Sequence, residues 1–216
     1  MSDDEPGVHT PAEELLDVLD DDGAFVETLP RSVVHAQGLW HEVFHCLVVR
    51  SGSPALVLLQ RRRRAARAFP SLLDVSVAGH LSSGEGPLDG VREIREELGL
   101  DIDPARLVPI ARRLLVDDGG EGRNREIAHV HLLVDDTPLE ALALDPDEVD
   151  GFVEVSASSL QRILSDIARR EPAREVDTGG VVRDVMIGNA DLVPDADGYW
   201  NDLATAAEIH VGAVGR

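Results

Sequence analysis

The feature that most constrains the fold of this chain is an amphipathic helical pattern at residues 87–98. Its apolar side carries Val91, Ile94 and Leu98 at helical spacing, and Gly99 follows as a typical C-terminal stop. A helix of this kind gains stability by packing its apolar side against another layer of the protein. The pattern therefore predicts a layered fold in which this helix covers part of the core.

The rest of that core is predicted to be a mixed β-sheet. Apolar runs that end at turn residues indicate strands, and they occur at 15–19, 24–29, 43–50, 55–60, 73–78, 107–116, 126–134 and 152–155. Further helical patterns occupy 158–169 and the segment from Tyr199 to Ile209. Hydrophobic residues make up 43% of the chain, which is enough for a core, so we predict the α/β fold class.

We expect one domain at residues 13–170. The polar residues 1–12 predict a disordered leader. Residues 171–216 are expected to be an extension packed on the same domain. In it, the Gly-, Pro- and Asp-rich stretch 171–197 forms an extended loop and a C-terminal helix follows.

The polar side of the helix at 87–98 carries three carboxylates. Glu93, Glu96 and Glu97 are three or four residues apart, so they converge on one helix face. Each unfavourable pair costs about 0.2–0.5 kcal/mol even on an exposed helix, and a divalent cation with oxygen ligands, such as Mg²⁺ or Mn²⁺, would reverse that cost. The alternative is a solvated acidic face on a protein whose net charge is −21.

The residues around these carboxylates resemble the Nudix box, Gly-x5-Glu-x7-Arg-Glu-U-x-Glu-Glu-x-Gly-U, in which U is a bulky aliphatic residue. The matching residues are Gly79, Glu85, Arg92, Glu93, Ile94, Glu96, Glu97, Gly99 and Leu100. One departure is that six residues, not seven, separate Glu85 from Arg92. In a continuous helix the missing residue would rotate Glu85 by about 100°, which argues against a Glu85–Arg92 contact.

The resemblance implies a Nudix-type α/β/α sandwich around a mixed β-sheet and hydrolysis of a diphosphate bond by water. It implies that Glu93, Glu96 and Glu97 hold Mg²⁺ or Mn²⁺ or activate the attacking water, that the Gly79 carbonyl joins the metal shell, and that Arg92 belongs to the catalytic group. Which glutamate is the base stays open.

A second set of residues resembles isopentenyl-diphosphate isomerases and the Nudix hydrolases most similar to them. In those isomerases, histidines at the positions of His35, His41 and His80 bind a metal together with two acids of a later strand. Here Glu126 matches one acid and Asn124 replaces the other. The resemblance therefore implies a second metal site at the three histidines, with Glu126 as a metal ligand and with His41 and His80 as candidates for substrate contact.

Position 78 separates the hydrolase from the isomerase. The isomerases place a catalytic cysteine directly before the Gly-His pair, whereas this chain has Ala78, which cannot transfer protons. The sequence thus favours a Mg²⁺-dependent pyrophosphohydrolase of a nucleoside di- or triphosphate, or of a nucleoside diphosphate linked to another group. The alternatives are an isomerase, disfavoured by Ala78, and a non-catalytic nucleotide-sensing module, suggested by the shortened box.

The dense basic patch of the chain is the run Arg61 to Arg64. A charge run of this kind is usually a solvated face. Related proteins place a basic residue here against the substrate's diphosphate, and guanidinium groups match phosphate oxygens well. We therefore expect Arg61 or Arg62 to bind the substrate.

The charge and hydropathy of the chain limit its partners. A net charge of −21 repels phosphate backbones, which argues against a nucleic-acid polymer. No apolar run approaches the roughly 20 residues that span a bilayer, and the acidic start lacks the features of a secretory leader. We expect a cytoplasmic protein that acts on a small-molecule diphosphate, without membrane partners. The extension after residue 170 could cap the site or form a homodimer.

Overall fold

The structure, a computed structural model, describes residues 13–117, 123–195 and 197–214. The predicted leader at 1–12 lies outside these residues. Within them no helix has the length and apolar character needed to cross a membrane. In chain order the elements are β1 (Leu15–Leu19), β2 (Phe25–Pro30), α1 (Arg31–Gln37), β3 (Trp40–Arg50), β4 (Leu56–Arg62), β5 (Leu73–Asp74), β6 (Val77–His80), α2 (Val91–Leu98), β7 (Val108–Asp117), β8 (Asn124–Val134), β9 (Val149–Ser156), α3 (Ala157–Ser165), β10 (Arg170–Asp177), β11 (Val182–Gly188) and α4 (Tyr199–Val214).

The strands form one mixed sheet, as predicted. Its main path runs β11-β10-β9-β4-β3-β1-β2, and β5, β6, β7 and β8 join it at the side. The β3–β8 pair is parallel, whereas β3 pairs antiparallel with β6. The central strand β3 therefore has β6 along one edge and β8 along the other.

Helices cover both sides of this sheet, which confirms the α/β/α sandwich. Successive side chains of a strand point to opposite faces. Accordingly, Val43 and Leu47 of β3 pack in the cluster that contains residues of α3 and α4. Phe44 and Cys46 instead pack in the cluster that contains Ile94 of α2. The amphipathic α2 thus buries its apolar side on the sheet, as its sequence pattern predicts.

The prediction of a loop at 171–197 was wrong, because β10 and β11 form a hairpin there. The strand pattern is hidden because two buried positions of β10 are glutamates, Glu171 and Glu175. Arginines neutralise both carboxylates: Arg162 and Arg169 bind Glu171, while Arg61 and Arg183 bind Glu175. Buried charges paired in this way take the place of the apolar residues by which a strand is normally recognised.

The predicted helix at 87–98 begins later than expected, at Val91. Residues 87–90 are a turn, and Gly90 is needed there because a Cβ at this position would lie 2.4 Å from the Phe44 ring. At the other end Gly99 has φ = 69° and donates its N–H to the Arg95 carbonyl, so the predicted C-terminal stop is confirmed.

Candidate active site

The carboxylate face of α2 lies directly against β6. A Cβ on Gly79 would lie 2.0 Å from the Glu93 carboxyl carbon, so only glycine at position 79 lets α2 approach the strand this closely. The approach brings the predicted carbonyl ligand at Gly79 beside the predicted carboxylate ligands. The structure therefore places Gly79 and Glu93 together, as the sequence pattern requires.

Two of the three carboxylates of α2 are removed from water. Glu97 is 5% exposed, and its Oε2 has no hydrogen-bond partner among the described residues. Burial raises the pKa of Glu97 well above its usual range. Burial, reinforced by the charge of Glu96, also raises the pKa of Glu93 to about 7 against the opposing pull of Arg92. A buried carboxylate oxygen without a partner is costly unless a cation neutralises it, so this group fits a divalent metal.

Arg92 joins the loop, the strand and the helix at this site. Its Nε donates to Glu85 Oε1 at 3.1 Å, its Nη2 to the His80 carbonyl at 2.8 Å, and its Nη1 to Glu93 Oε1 at 2.5 Å. The expectation that Glu85 and Arg92 do not touch was wrong, because α2 begins only at Val91 and the turn before it absorbs the missing residue. These contacts make Arg92 a positioning residue for Glu93, and a direct catalytic role for it stays a prediction.

Glu148 is a further carboxylate whose charge acts on this site, and the sequence analysis missed it. Burial raises its pKa, and the charges of Asp145 and Glu96 add to the rise. Glu148 in turn contributes to the raised pKa of Glu97. It precedes β9 in an acidic segment that is typical of a solvated loop. Only the folded structure shows that its charge acts on α2.

The three predicted histidines meet on the opposite face of β6. Neighbouring strand residues point to opposite faces, so His80 lies across the strand from Gly79. His41 of β3, His80 of β6 and His35 of α1 offer ligand nitrogens that all lie within 4.8 Å of one another. The Nε2 atoms of His35 and His80 are 3.0 Å apart. Burial is the main reason that the pKa values of His35 and His80 are lowered, which keeps both imidazoles neutral, as metal ligands must be.

Two polar atoms beside these histidines are buried without hydrogen-bond partners in the described part of the chain: His41 Nε2 and Asn124 Oδ1. Glu126 Oε1 lies 4.0 Å from His41 Nε2 and accepts a hydrogen bond from Asn124 Nδ2 at 2.6 Å. Nitrogen and oxygen donors of this kind suit a transition-metal ion, so the residues fit the second metal site that the resemblance implies.

The two predicted substrate-binding arginines are engaged elsewhere. Arg61 pairs with the buried Glu175 and donates to the Ser71 carbonyl at 2.9 Å. Arg62 pairs with Asp74 at 2.7 Å. It also donates a hydrogen bond, at 3.1 Å, to a backbone carbonyl in the loop between β4 and β5. Both guanidinium groups thus hold the loop between β4 and β5, and substrate contact by either stays a prediction.

Arg31 is a cation that the sequence analysis missed. Its side chain is 51% exposed and pairs with Glu14 through a single 3.3 Å contact. Its charge helps to lower the pKa values of His35 and His80, which places it beside the histidine group. A signal existed in the sequence, because Arg31 lies four residues before His35, on the same face of a helix.

Comparisons with known proteins agree with this geometry. The NUDIX domain profile matches residues 39–176. The chain is 37% identical over 155 residues to an uncharacterized Nudix hydrolase of Clostridium acetobutylicum, covering 70% of this chain and 74% of that protein. It is 35% identical over 163 residues to an isopentenyl-diphosphate Delta-isomerase of Cutibacterium acnes, covering 72% and 78% of the two chains.

A comparison with solved structures agrees with the fold expected of this family. The crystal structure of DR0079 from Deinococcus radiodurans superimposes with a TM-score of 0.56 at 23% identity, and the match covers 70% of this chain and 90% of that one. The profile and the relatives extend over most of the domain that carries the carboxylate helix and the histidines. The chain therefore belongs to the Nudix family and is a hydrolase that acts on phosphoric anhydride bonds.

Proposed function

We propose that the protein is a Mg²⁺-dependent pyrophosphohydrolase of a small organic diphosphate. The substrate would be a nucleoside di- or triphosphate, or a nucleoside diphosphate linked to another group. The observation that supports this most is the buried Oε2 of Glu97, which has no hydrogen-bond partner among the described residues and lies on the same helix as Glu93. A site built from oxygen donors alone suits Mg²⁺ or Mn²⁺.

Glu93, Glu96, Glu97 and the Gly79 carbonyl would hold the metal. When bound, such an ion neutralises charge on phosphate oxygens and lowers the pKa of the water that attacks. Burial raises the pKa of Glu93 to about 7 in the metal-free protein, and a bound cation would favour its charged form. Arg92 fixes Glu93 against β6 through the Glu93 and His80 contacts.

Arg31 is proposed to bind a phosphate group of the substrate. It is a half-exposed cation next to the histidines, and its partner Glu14 is close enough to Glu93 to contribute to the raised Glu93 pKa. A single exposed ion pair contributes little stability, so an incoming phosphate can displace Glu14 at small cost. His41 and His80 are proposed to hold the second metal together with His35 and Glu126.

We further propose that the protein acts in the cytoplasm on a free small molecule. The net charge of −21 opposes binding to a nucleic-acid polymer. A homodimer that uses the C-terminal extension is part of the same proposal, because β11 and α4 follow the matched residues and expose Met186 and Ile209.

An isomerase is the second candidate, because the histidine group and a 35% identical relative favour it. Ala78 opposes it, since the methyl side chain has no ionisable proton. The thiol at Cys46 does not replace the missing group, because burial raises its pKa and the residue is 0% exposed within the core.

The test is phosphate release from nucleotides, nucleotide-linked compounds and isopentenyl diphosphate, with and without a coupled pyrophosphatase, in Mg²⁺ or EDTA. We expect Mg²⁺-dependent release from at least one nucleotide compound. Conversion of isopentenyl diphosphate without phosphate release would instead establish the isomerase. Nucleotide binding without any turnover would establish the sensing module.

A further inference from the structure

Gln60 of β4 is an amide buried at a position where an apolar residue is expected. Its side chain is 6% exposed. Alternate strand residues share a face, so Gln60 lies on the same face as Leu58, which packs in the cluster that contains Ile94 of α2. Its neighbour across the β4–β9 pair is Phe152, which belongs to that cluster too. Gln60 therefore lies between the sheet and α2.

The amide nitrogen of Gln60 has no hydrogen-bond partner within the described ranges of the chain, although it is buried. A buried donor without a partner costs free energy, whereas a methionine of similar volume at this position would carry no such cost. Buried polar groups are nearly always hydrogen-bonded, so an exception needs an explanation. Packing alone does not explain an amide at this position.

The group beside this donor is the Glu97 carboxylate. Glu97 is also buried, and its Oε2 is an acceptor without a partner in the described part of the chain. Burial raises the pKa of Glu97, and the Gln60 side chain opposes that rise, as a hydrogen-bond donor beside a carboxylate does. A buried donor and a buried acceptor, each without a partner, thus lie near each other between β4 and α2.

A donor at Gln60 is compatible with a cation at Glu97. An ionised carboxylate has two oxygens and about four lone-pair sites, so Glu97 can accept a hydrogen bond from Gln60 and still ligate a metal ion. Carboxylates that ligate a metal are in turn hydrogen-bonded by other residues, which orient them. An uncharged amide suits this task, because a buried arginine or lysine would neutralise the carboxylate in place of the ion.

We propose that Gln60 is a positioning residue that orients the Glu97 carboxylate toward the divalent metal. The inference rests on the proposed function, since it requires Glu97 to be a metal ligand. It does not require Gln60 to contact the substrate or the reacting atoms.

The test is Gln60→Met, which keeps the approximate volume of the side chain and removes the donor. Its matched control is Gln161→Met, because Gln161 is an exposed residue of α3. Electron paramagnetic resonance would measure Mn²⁺ binding to each protein without substrate. Only the Mn²⁺ that Mg²⁺ displaces would be counted, because Mg²⁺ prefers oxygen ligands to the imidazoles of the histidine group. We expect Gln60→Met to bind this Mn²⁺ about 10–100-fold more weakly and Gln161→Met to bind it as the native protein does.

Urea denaturation in EDTA separates a positioning role from a packing role. Gln60→Met should be at least as stable as the native protein without metal, because the substitution removes a buried donor that has no partner. A loss of metal-free stability in Gln60→Met would assign Gln60 to packing and overturn the inference. Native Mn²⁺ affinity in a folded Gln60→Met protein would also overturn it.

If Gln60→Met fails to fold, Gln60→Asn withdraws the amide from Glu97 by one methylene and should weaken Mn²⁺ binding in the same direction. Native affinity in Gln60→Asn would then overturn the inference. Failure of the proposed function is a separate result, because it is measured on the native protein, as the absence of Mg²⁺-displaceable Mn²⁺ or of Mg²⁺-dependent turnover.

Discussion

Replacing Glu93 with Gln should stabilise the metal-free protein at alkaline pH. The Glu93 side chain is 14% exposed, and its pKa is raised from 4.5 to about 7, chiefly by burial. At about 1.36 kcal/mol per pKa unit, this rise corresponds to about 3 kcal/mol of penalty for the ionised form.

The direction of the pH dependence follows from the sign of that shift. A carboxyl whose pKa is raised in the folded state imposes no penalty below about pH 4.5, where it is protonated in both states. The folded protein loses stability as the pH rises toward and through about 7. The native protein in EDTA should therefore be less stable than Glu93→Gln by up to about 3 kcal/mol at pH 8, and nearly equal to it at pH 4.5.

Urea denaturation at the two pH values, with EDTA present, measures this difference. Glu27→Gln is the control, because Glu27 is an exposed strand residue, and its substitution should change stability by less than about 0.5 kcal/mol at either pH. A Glu93→Gln protein that is less stable than the native protein at pH 8 would refute the claim that Glu93 is held at the cost of desolvation.

Two other sets of substitutions follow from the contacts. Ser76→Ala should cost about 1–3 kcal/mol in urea denaturation, because the fully buried Ser76 hydroxyl accepts from the Val48 N–H and donates to the Leu58 carbonyl; an unchanged midpoint would show that these groups find other partners. Arg31→Gln should raise KM for the diphosphate without loss of stability, whereas Arg61→Gln should destabilise the fold because Glu175 is buried. The reverse pattern in kinetics and denaturation would return the substrate contact to Arg61.

The sequence was sufficient to predict α2 and the segments next to it, because the local periodicity determines which of their side chains are buried. Val91, Ile94 and Leu98 define a buried side by spacing alone, and Gly99 ends the helix with a conformation that glycine adopts easily. The carboxylate face follows from the same periodicity. That part of the candidate site therefore needed no knowledge of the tertiary structure.

The rest of the site depends on how the strands pair, which the spacing of residues in the sequence does not reveal. His41 and His80 meet because β3 and β6 pair with Val43 opposite His80. The resemblance, and not the periodicity, predicted that the two histidines belong to one group. The charge of Glu148 acts on Glu97 only because the fold places the loop before β9 near α2. The Glu85–Arg92 contact depends on where α2 begins, and helix starts are poorly defined by sequence.

The sequence did not predict the hairpin of β10 and β11, and the reason is electrostatic. Its buried Glu171 and Glu175 interrupt the apolar alternation that marks a strand. Their arginine partners lie on α3, β4, β11 and the segment before β10, so the neutralisation is visible only in the folded chain.

The most direct test of the central claim is Mg²⁺-dependent phosphate release by Glu97→Gln against the native protein and Glu27→Gln. If the α2 carboxylates hold the metal, Glu97→Gln should lose about 10²–10⁴-fold in turnover while its circular dichroism spectrum stays native. Glu27→Gln should keep full activity. Full turnover by a folded Glu97→Gln protein would contradict the assignment of the active site to α2.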